Sequence, residues 1–298
     1  MEELQKSDEM EVENTNEKLN NPFADFWRKF KKQKVAFAAG IFIVILVILA
    51  IIGPSIVPYD VTKANYQSVL EGPSLKHWAG TDEFGRDIFS RIIVGTRISL
   101  SVGFFSVFIG AAIGTFLGLI AGFFGKKIDN IIMRTCDVLF AFPGILLAIG
   151  IIAILGPGLV NVVYAVSIFT IPIFARIARS STLAVGSTLY VEATKSTGAS
   201  SARIIFKHIF PGTLSSIIVY FTMRLGLAIL TAASLSFLGL GAQPPTPEWG
   251  AMLSSGRDYL NSEIHVTLFP GLAIFLTVLA FNLLGDGLRD SLDPKIDE

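Results

Sequence analysis

Tyr190-Val-Glu192-Ala193-Thr-Lys195-Ser-Thr-Gly198-Ala-Ser-Ser-Ala-Arg203-Ile-Ile-Phe-Lys207-His-Ile-Phe-Pro211 is polar and helix-forming, and it lies between two long apolar runs. Polar groups buried in hydrocarbon without partners cost several kcal/mol. If its flanks cross a bilayer, this segment is therefore an ordered loop at one surface, and such a loop needs something to dock against. Gly198 divides it into two short helices, because glycine ends a helix cheaply. Ser200 or Ser201 caps the second helix. Within it Ala202, Ile205, Phe206 and Ile209 recur at i, i+3, i+4 and i+7 as an apolar face, with Arg203 and Lys207 on the opposite flank. Pro211 opens the next helix at a first-turn position that proline tolerates. The second helix suits either lipid headgroups or a groove in a soluble partner, with Glu192, Arg203 and Lys207 at a polar rim.

The flanks do cross a bilayer. The 298-residue chain is 52% hydrophobic and 16% charged, with a mean hydropathy of +0.61. Soluble domains carry roughly 25% charged residues. A bilayer core of about 30 Å takes about 20 apolar residues at 1.5 Å each. Six segments satisfy this: 35–57, 98–123, 138–156, 159–179, 212–238 and 268–287. The expected fold is an all-α integral membrane protein with six transmembrane helices. With the N-terminus inside, and leaving aside Arg224 and the distant Lys6 and Lys18, fifteen Lys and Arg fall on the inner side (Arg28 to Lys34, Lys126, Lys127, Arg134, Arg176, Arg179, Lys195, Arg203, Lys207, Arg289, Lys295). Six fall outside (Lys63, Lys76, Arg86, Arg91, Arg97, Arg257). The positive-inside bias therefore puts both termini, and the quoted loop, in the cytoplasm.

Residues 1–34 begin acidic and end basic, and read as a solvated, disordered cytoplasmic tail without the features of a cleaved signal peptide. The segment 35–97 holds the first span and an outer stretch with His77-Trp78 and Gly80-Thr-Asp82-Glu-Phe-Gly-Arg86-Asp87. Ile88, Phe89, Ile92 and Ile93 form one helical stripe. A helix there is expected in the outer interface, leading into the second span, with Asp87 and Arg91 paired at i, i+4.

Small residues recur every fourth position in the second span: Ser106, Gly110, Gly114, Gly118 and Gly122. Such a ladder lets another helix approach closely, which is how helices associate in lipid. Arg134 and Asp137 are spaced as i, i+3 partners. Pro143 and Pro172 fall inside the third and fourth spans and should kink them. Trp249 and Tyr259 suit an outer aromatic belt or a partner surface. Arg224 is a charge within the fifth span. It either lines a pathway or pairs with another helix.

No phosphate-cradling Gly-rich loop with Lys-Ser/Thr is present, so no ATP site is expected, and no nucleophilic triad stands out. His77, His208, His265 and the single Cys136 are scattered and suggest no metal site and no cofactor. The chain does not read as an enzyme, and zero net charge gives no reason to expect nucleic acid.

From about residue 25 onward the chain resembles the type C permease of dipeptide and oligopeptide ABC importers, a group with nickel-transporting relatives. The resemblance rests on His77-Trp78 with Gly80–Asp87, Asp137-Val-Leu-Phe-Ala-Phe-Pro143 and the Glu192-Ala193…Gly198…Pro211 pattern of the EAA loop. It rests also on Ser234-Leu-Ser-Phe-Leu-Gly-Leu-Gly241, Pro244-Pro-Thr-Pro-Glu-Trp-Gly250 and Asn282-Leu-Leu-Gly-Asp-Gly-Leu-Arg-Asp290. It implies the type I ABC importer permease fold, with residues 98–298 as the transporter domain and the EAA loop at about 187–211. It further implies a sister permease, two cytoplasmic ATPase subunits and an extracytoplasmic binding protein. The ATPase would grip Glu192, Ala193, Gly198, Arg203 and Lys207. Peptides are the expected cargo, nickel or another small solute the alternative, and an ATP-independent transporter or channel the competing class. The loop departs from the usual Glu-Ala-Ala-Arg-Ala-Leu-Gly by reading Glu-Ala-Thr-Lys-Ser-Thr-Gly. That change removes the apolar residue before Gly198.

Overall fold

The computed structural model describes residues 22–292. Its helices are α1 Pro22–Lys32, α2 Lys34–Ile56, α3 Ile88–Phe124, α4 Lys126–Phe140, α5 Gly144–Leu155, α6 Leu159–Gly186, α7 Leu189–Ser196, α8 Ser201–Phe237, α9 Trp249–Gly256 and α10 His265–Leu292. Five of them, α2, α3, α6, α8 and α10, are long and apolar enough to cross a membrane. The pair α4 and α5, bent by 89° at a short break, qualifies as a further span only when the two helices are taken together.

That bend corrects the continuous third span expected over 138–156. Pro143 does more than kink a helix. It sits in extended backbone as the residue before α5, and its missing N–H and disfavoured preceding turn end α4 at Phe140. Pro172 is different, being carried inside an unbroken and buried stretch of α6.

α2 is apolar all round, as a helix must be when lipid covers one side and protein the other. Ala36, Ala39, Ile43, Leu46 and Gly53 face the bundle, whereas Val44, Ile48 and Ile51 are exposed. The core lies between α3, α6, α8 and α10, with Val107, Ala165, Val166, Phe174, Ile229 and Leu235 at its centre. The stretch 22–34, expected to end a disordered tail, carries α1. Its Phe30 is buried and meets Phe37 of α2 edge-on at 6.3 Å. The acidic residues Glu2 to Glu13 of that tail lie outside the described residues.

Residues 57–87 fold back as a cap on the outer end of the bundle. Asp82 is its hub. It accepts from Arg86 Nε at 2.7 Å and from the Arg86 backbone N–H at 2.9 Å, and Arg91 Nε lies 3.4 Å away. Arg91 Nη1 also donates to the Val61 carbonyl at 2.6 Å. The expected Asp87–Arg91 pair does not form. Asp87 instead caps α3, accepting the Ser90 N–H at 2.8 Å, and meets His77 Nδ1 at 2.9 Å. Nor is there a separate interfacial helix: the Ile88–Ile93 stripe is the first two turns of α3, which runs unbroken for 37 residues.

Trp249 is not part of an aromatic belt. It is fully buried, with its indole N–H donating to the Ile92 carbonyl at 3.1 Å. Glu248 precedes it, also buried, and caps α9 by accepting the Ala251 N–H at 2.9 Å. Burial pushes the Glu248 carboxyl above the usual carboxylate range, against the pull of its hydrogen-bond donors.

Candidate functional site

The loop between α6 and α8 forms a closed elbow, and each turn of it has a local cause. α7 begins after Thr188, whose hydroxyl donates to the Val185 carbonyl at 2.6 Å. It ends in a complete Schellman cap. The Gly198 N–H donates to Lys195 O at 3.0 Å and the Ala199 N–H to Thr194 O at 3.4 Å, with Gly198 at φ +77°. Ser200 then caps α8, its hydroxyl accepting from the Arg203 N–H. The expected division into two helices at Gly198 is what the geometry shows.

The second helix differs from expectation in register. It does not stop before the fifth span: one π-type stretch, Ile204–Ile209, joins its first turn to Phe210–Phe237 in a single rod. A wider turn rotates the following side chains relative to an α-helix. The buried face is accordingly Ile204, Ile205 and Ile209, whereas Ala202 and Phe206 are exposed. With Val191 of α7 and Leu119 of α3 these residues make a small apolar cluster, edged by Phe123, Val185, Ala199 and Phe210. Tyr190 closes the elbow by donating to the His208 carbonyl at 3.1 Å. Lys195 stands 5.8 Å over the Phe123 ring.

What remains outside is a rigid surface. Glu192 and Ala193 on α7, Gly198 at the bend, and Arg203 and Lys207 on α8 are all exposed. No Cβ at Gly198 would touch anything within 4 Å, so glycine is needed there for its backbone and not for space. Sequence reasoning misses three members of this surface: Leu189, 84% exposed, Tyr190 and Phe206. Leu189 and Phe206 are large apolar groups left uncovered by the rest of the chain. Leu189 is legible as an apolar residue directly after a helix start. Helical periodicity places Phe206 on the buried face, and the π-type stretch turns it outward.

The glycine ladder lies against α6. A Cβ at Gly110 would lie 2.6 Å from Thr170 Cβ and one at Gly122 2.7 Å from Thr182 Cβ. Cβ atoms at Gly114 and Gly118 would strike the carbonyl oxygens of Ile171 and Ala175. α3 and α6 thus touch along four turns, and the ladder runs down to Leu119 and the elbow. Beside it, Arg134 does not take Asp137. Asp137 pairs with Arg176 at 2.5 Å, and Asp129 pairs through both oxygens with Arg179. These two bridges tie α4 to α6, and their spacing of eight and three residues places each pair on one helical face.

Arg224 stands apart from the elbow. Its guanidinium lies 4.9 Å from the centroid of the Phe169 ring on α6, and its buried Nε has no hydrogen-bond partner. Among the described residues no carboxylate pairs with it, and no group of His, Cys, Asp and Glu could hold a metal ion.

Residues 114–298 match the family described as the binding-protein-dependent transport system inner membrane component, and residues 21–73 match the N-terminal TM domain of oligopeptide transport permease C. The chain is 58% identical over 279 residues to the glutathione transport system permease protein GsiD of Pectobacterium atrosepticum, with 93% of each chain covered. It is 57% identical over 281 residues to the protein of that name from Escherichia coli O6:K15:H31, covering 94% of this chain and 93% of the relative. Among solved structures, an inward-facing MetNI methionine ABC transporter aligns at a TM-score of 0.57 and 21% identity, over 69% of this chain and 98% of that one. An amino acid ABC transporter aligns at 0.52 and 18%, over 66% and 92%. At those identities the structural likeness speaks for the fold, which is the type I importer permease fold. The chain belongs to the binding-protein-dependent transport system inner membrane components, and is a permease subunit of an ABC importer.

Proposed function

We propose that this permease carries a short peptide into the cytoplasm, with the tripeptide glutathione as first candidate. The observation that supports it is identity above one half, over more than nine-tenths of the chain, with relatives named glutathione transport system permeases. The chain works beside a sister permease, receives cargo from an extracytoplasmic binding protein, and is driven by two cytoplasmic ATPase subunits. Both termini and the elbow lie in the cytoplasm, in keeping with the Lys and Arg asymmetry.

The elbow is the coupling site. Glu192, Ala193, Arg203 and Lys207 present its polar surface to the ATPase, and Leu189 and Phe206 supply apolar anchors. ATP favours one of two bundle packings by making different contacts in each. Because Val191, Ile204, Ile205 and Ile209 seal the elbow to Leu119, a displacement passes into α3, α6 and α8 without being absorbed in the loop. The ladder between α3 and α6 and the break at Pro143 are the places where the two packings differ.

The test is uptake by cells lacking this gene, complemented with the wild type, Glu192→Lys or Gly198→Pro. Glutathione uptake should depend on the gene, and both variants should abolish it while remaining in the membrane. Uptake of another peptide or of nickel in place of glutathione would reassign the cargo. Full uptake by both variants would remove the coupling role.

A further inference from the structure

We infer that Arg224 is the point in the membrane where the permease receives a carboxylate of its cargo. The inference rests on the reading that a small peptide passes along this subunit, and it adds the group that meets it.

A guanidinium within a transmembrane helix is tolerated only when it faces protein or water, and it stays charged at any physiological pH. Arg224 is half-buried, leans on the face of the Phe169 ring, and keeps a buried Nε that donates to nothing. A cation–π contact offsets only part of the desolvation that an unpaired charge suffers in a span. The site is therefore electrostatically incomplete within this chain.

The helix around it is also wrong for lipid. At 100° per residue, Ser216, Tyr220, Arg224, Thr231 and Ser234 fall within 80° of one another on α8, with the exposed Leu227 among them. Tyr220 is exposed, while Ser216, Arg224, Thr231 and Ser234 are intermediate. Thr231 and Ser234 bond back to Leu227 O and Leu230 O at 2.8 Å, leaving the Ser216 and Tyr220 hydroxyls and the guanidinium as the groups on offer. A guanidinium on this face borders water or another polar surface, not hydrocarbon.

Phe169 also fixes where the cation stands. The same ring packs against Gly144, the first residue of α5, where a Cβ would collide with it. Arg224 thus shares the Phe169 ring with the first residue of α5, at the break between α4 and α5. A carboxylate is the matching ligand. It accepts two parallel N–H bonds from a guanidinium, and a peptide with a free C-terminus always carries one. Glutathione carries two.

Two measurements on the assembled complex in lipid nanodiscs or proteoliposomes decide the matter. The first places Arg224→Cys in a Cys136→Ala background and applies a charged, membrane-impermeant thiol reagent with and without a non-hydrolysable ATP analogue. Labelling in at least one nucleotide state is expected. Absence of labelling in both overturns the inference, whatever the effect of the substitution on folding. The second compares glutathione uptake by wild type, Arg224→Lys and Arg224→Met at equal complex levels. Arg224→Met should lose tenfold or more and Arg224→Lys less. Wild-type rates in Arg224→Met overturn the inference and leave the glutathione assignment intact. If the wild type instead carries another carboxylate-bearing peptide and Arg224→Met fails with it, the glutathione assignment falls and the role of Arg224 stands. A natural cargo without a carboxylate overturns that role.

Discussion

His77 and Asp87 meet at 2.9 Å with both side chains sealed from solvent, and the second oxygen of the same carboxylate accepts the Ser90 N–H at 2.8 Å. One side chain therefore pins the outer cap to the bundle and starts α3. Replacing Asp87 by Ala removes a helix cap worth about 1 kcal/mol and leaves a buried imidazole unpartnered at about 2 kcal/mol more. Asp87→Ala should lower the thermal unfolding midpoint of the purified complex, and Asp87→Asn, which keeps an acceptor for Ser90, should lower it less.

The ladder gives a graded prediction. At Gly118 a Cβ would strike the Ala175 carbonyl oxygen, a backbone atom that cannot rotate away. Gly118→Val should separate α3 from α6 and cost about 3 kcal/mol by overpacking. A sharp fall in folded permease, seen by fluorescence-detected chromatography, is the expected outcome. At Gly150 in α5 an added methyl would meet nothing within 4 Å, and Gly150→Ala should leave the folded amount unchanged.

Gly198 separates backbone from side-chain needs. At φ +77° an alanine costs about 1 kcal/mol, and Asn, which tolerates this region, costs less. Proline removes the N–H that donates to Lys195 O. Uptake should fall in the order Gly198, Asn, Ala, Pro, with membrane levels constant throughout. Loss of level at Ala would make the bend a folding element and not a coupling element.

Glu248 carries a pH dependence with a definite sign. Its folded-state pKa is raised by burial, so the folded protein holds this proton more tightly than the unfolded chain does. Its contribution is full below the unfolded value of about 4.3 and is lost as pH rises through the raised folded value. Stability should thus decline across that window. Glu248→Gln, which cannot ionise but still offers an oxygen to the Ala251 N–H, should flatten the decline in unfolding scans taken from pH 5 to 8.

Five crossings are legible in the sequence because about twenty apolar residues leave no other option in water. The elbow is legible because Gly198, Ser200 and the polar run around them obey local capping rules. The bend at Pro143 escapes the same reading, since hydropathy is blind to direction: 138–156 is apolar on both sides of Pro143, and only its backbone restriction turns the chain. Asp82, Asp87, Arg86 and Arg91 are visible as charges, but their partners depend on the fold-back of the outer cap. Spacing alone therefore pairs Asp87 with the neighbour four residues on instead of His77. The buried face of the second elbow helix is lost to one π-type stretch, a backbone detail that side-chain periodicity assumes away. Trp249 shows the same limit, because an aromatic near a predicted boundary looks alike whether lipid or Ile92 receives its N–H.

Ser201 to Phe237 is one piece, about 55 Å at the rise of a helix, with no joint between the inner surface and the outer. At its far end the Leu240 carbonyl accepts the Gly158 N–H at 3.0 Å, hooking the outer hairpin between α5 and α6 to the same shaft. A push beside Arg203, the ATPase contact proposed above, would therefore travel along this single helix to the hairpin held at its far end, so that the two mouths of the subunit would open and close in step.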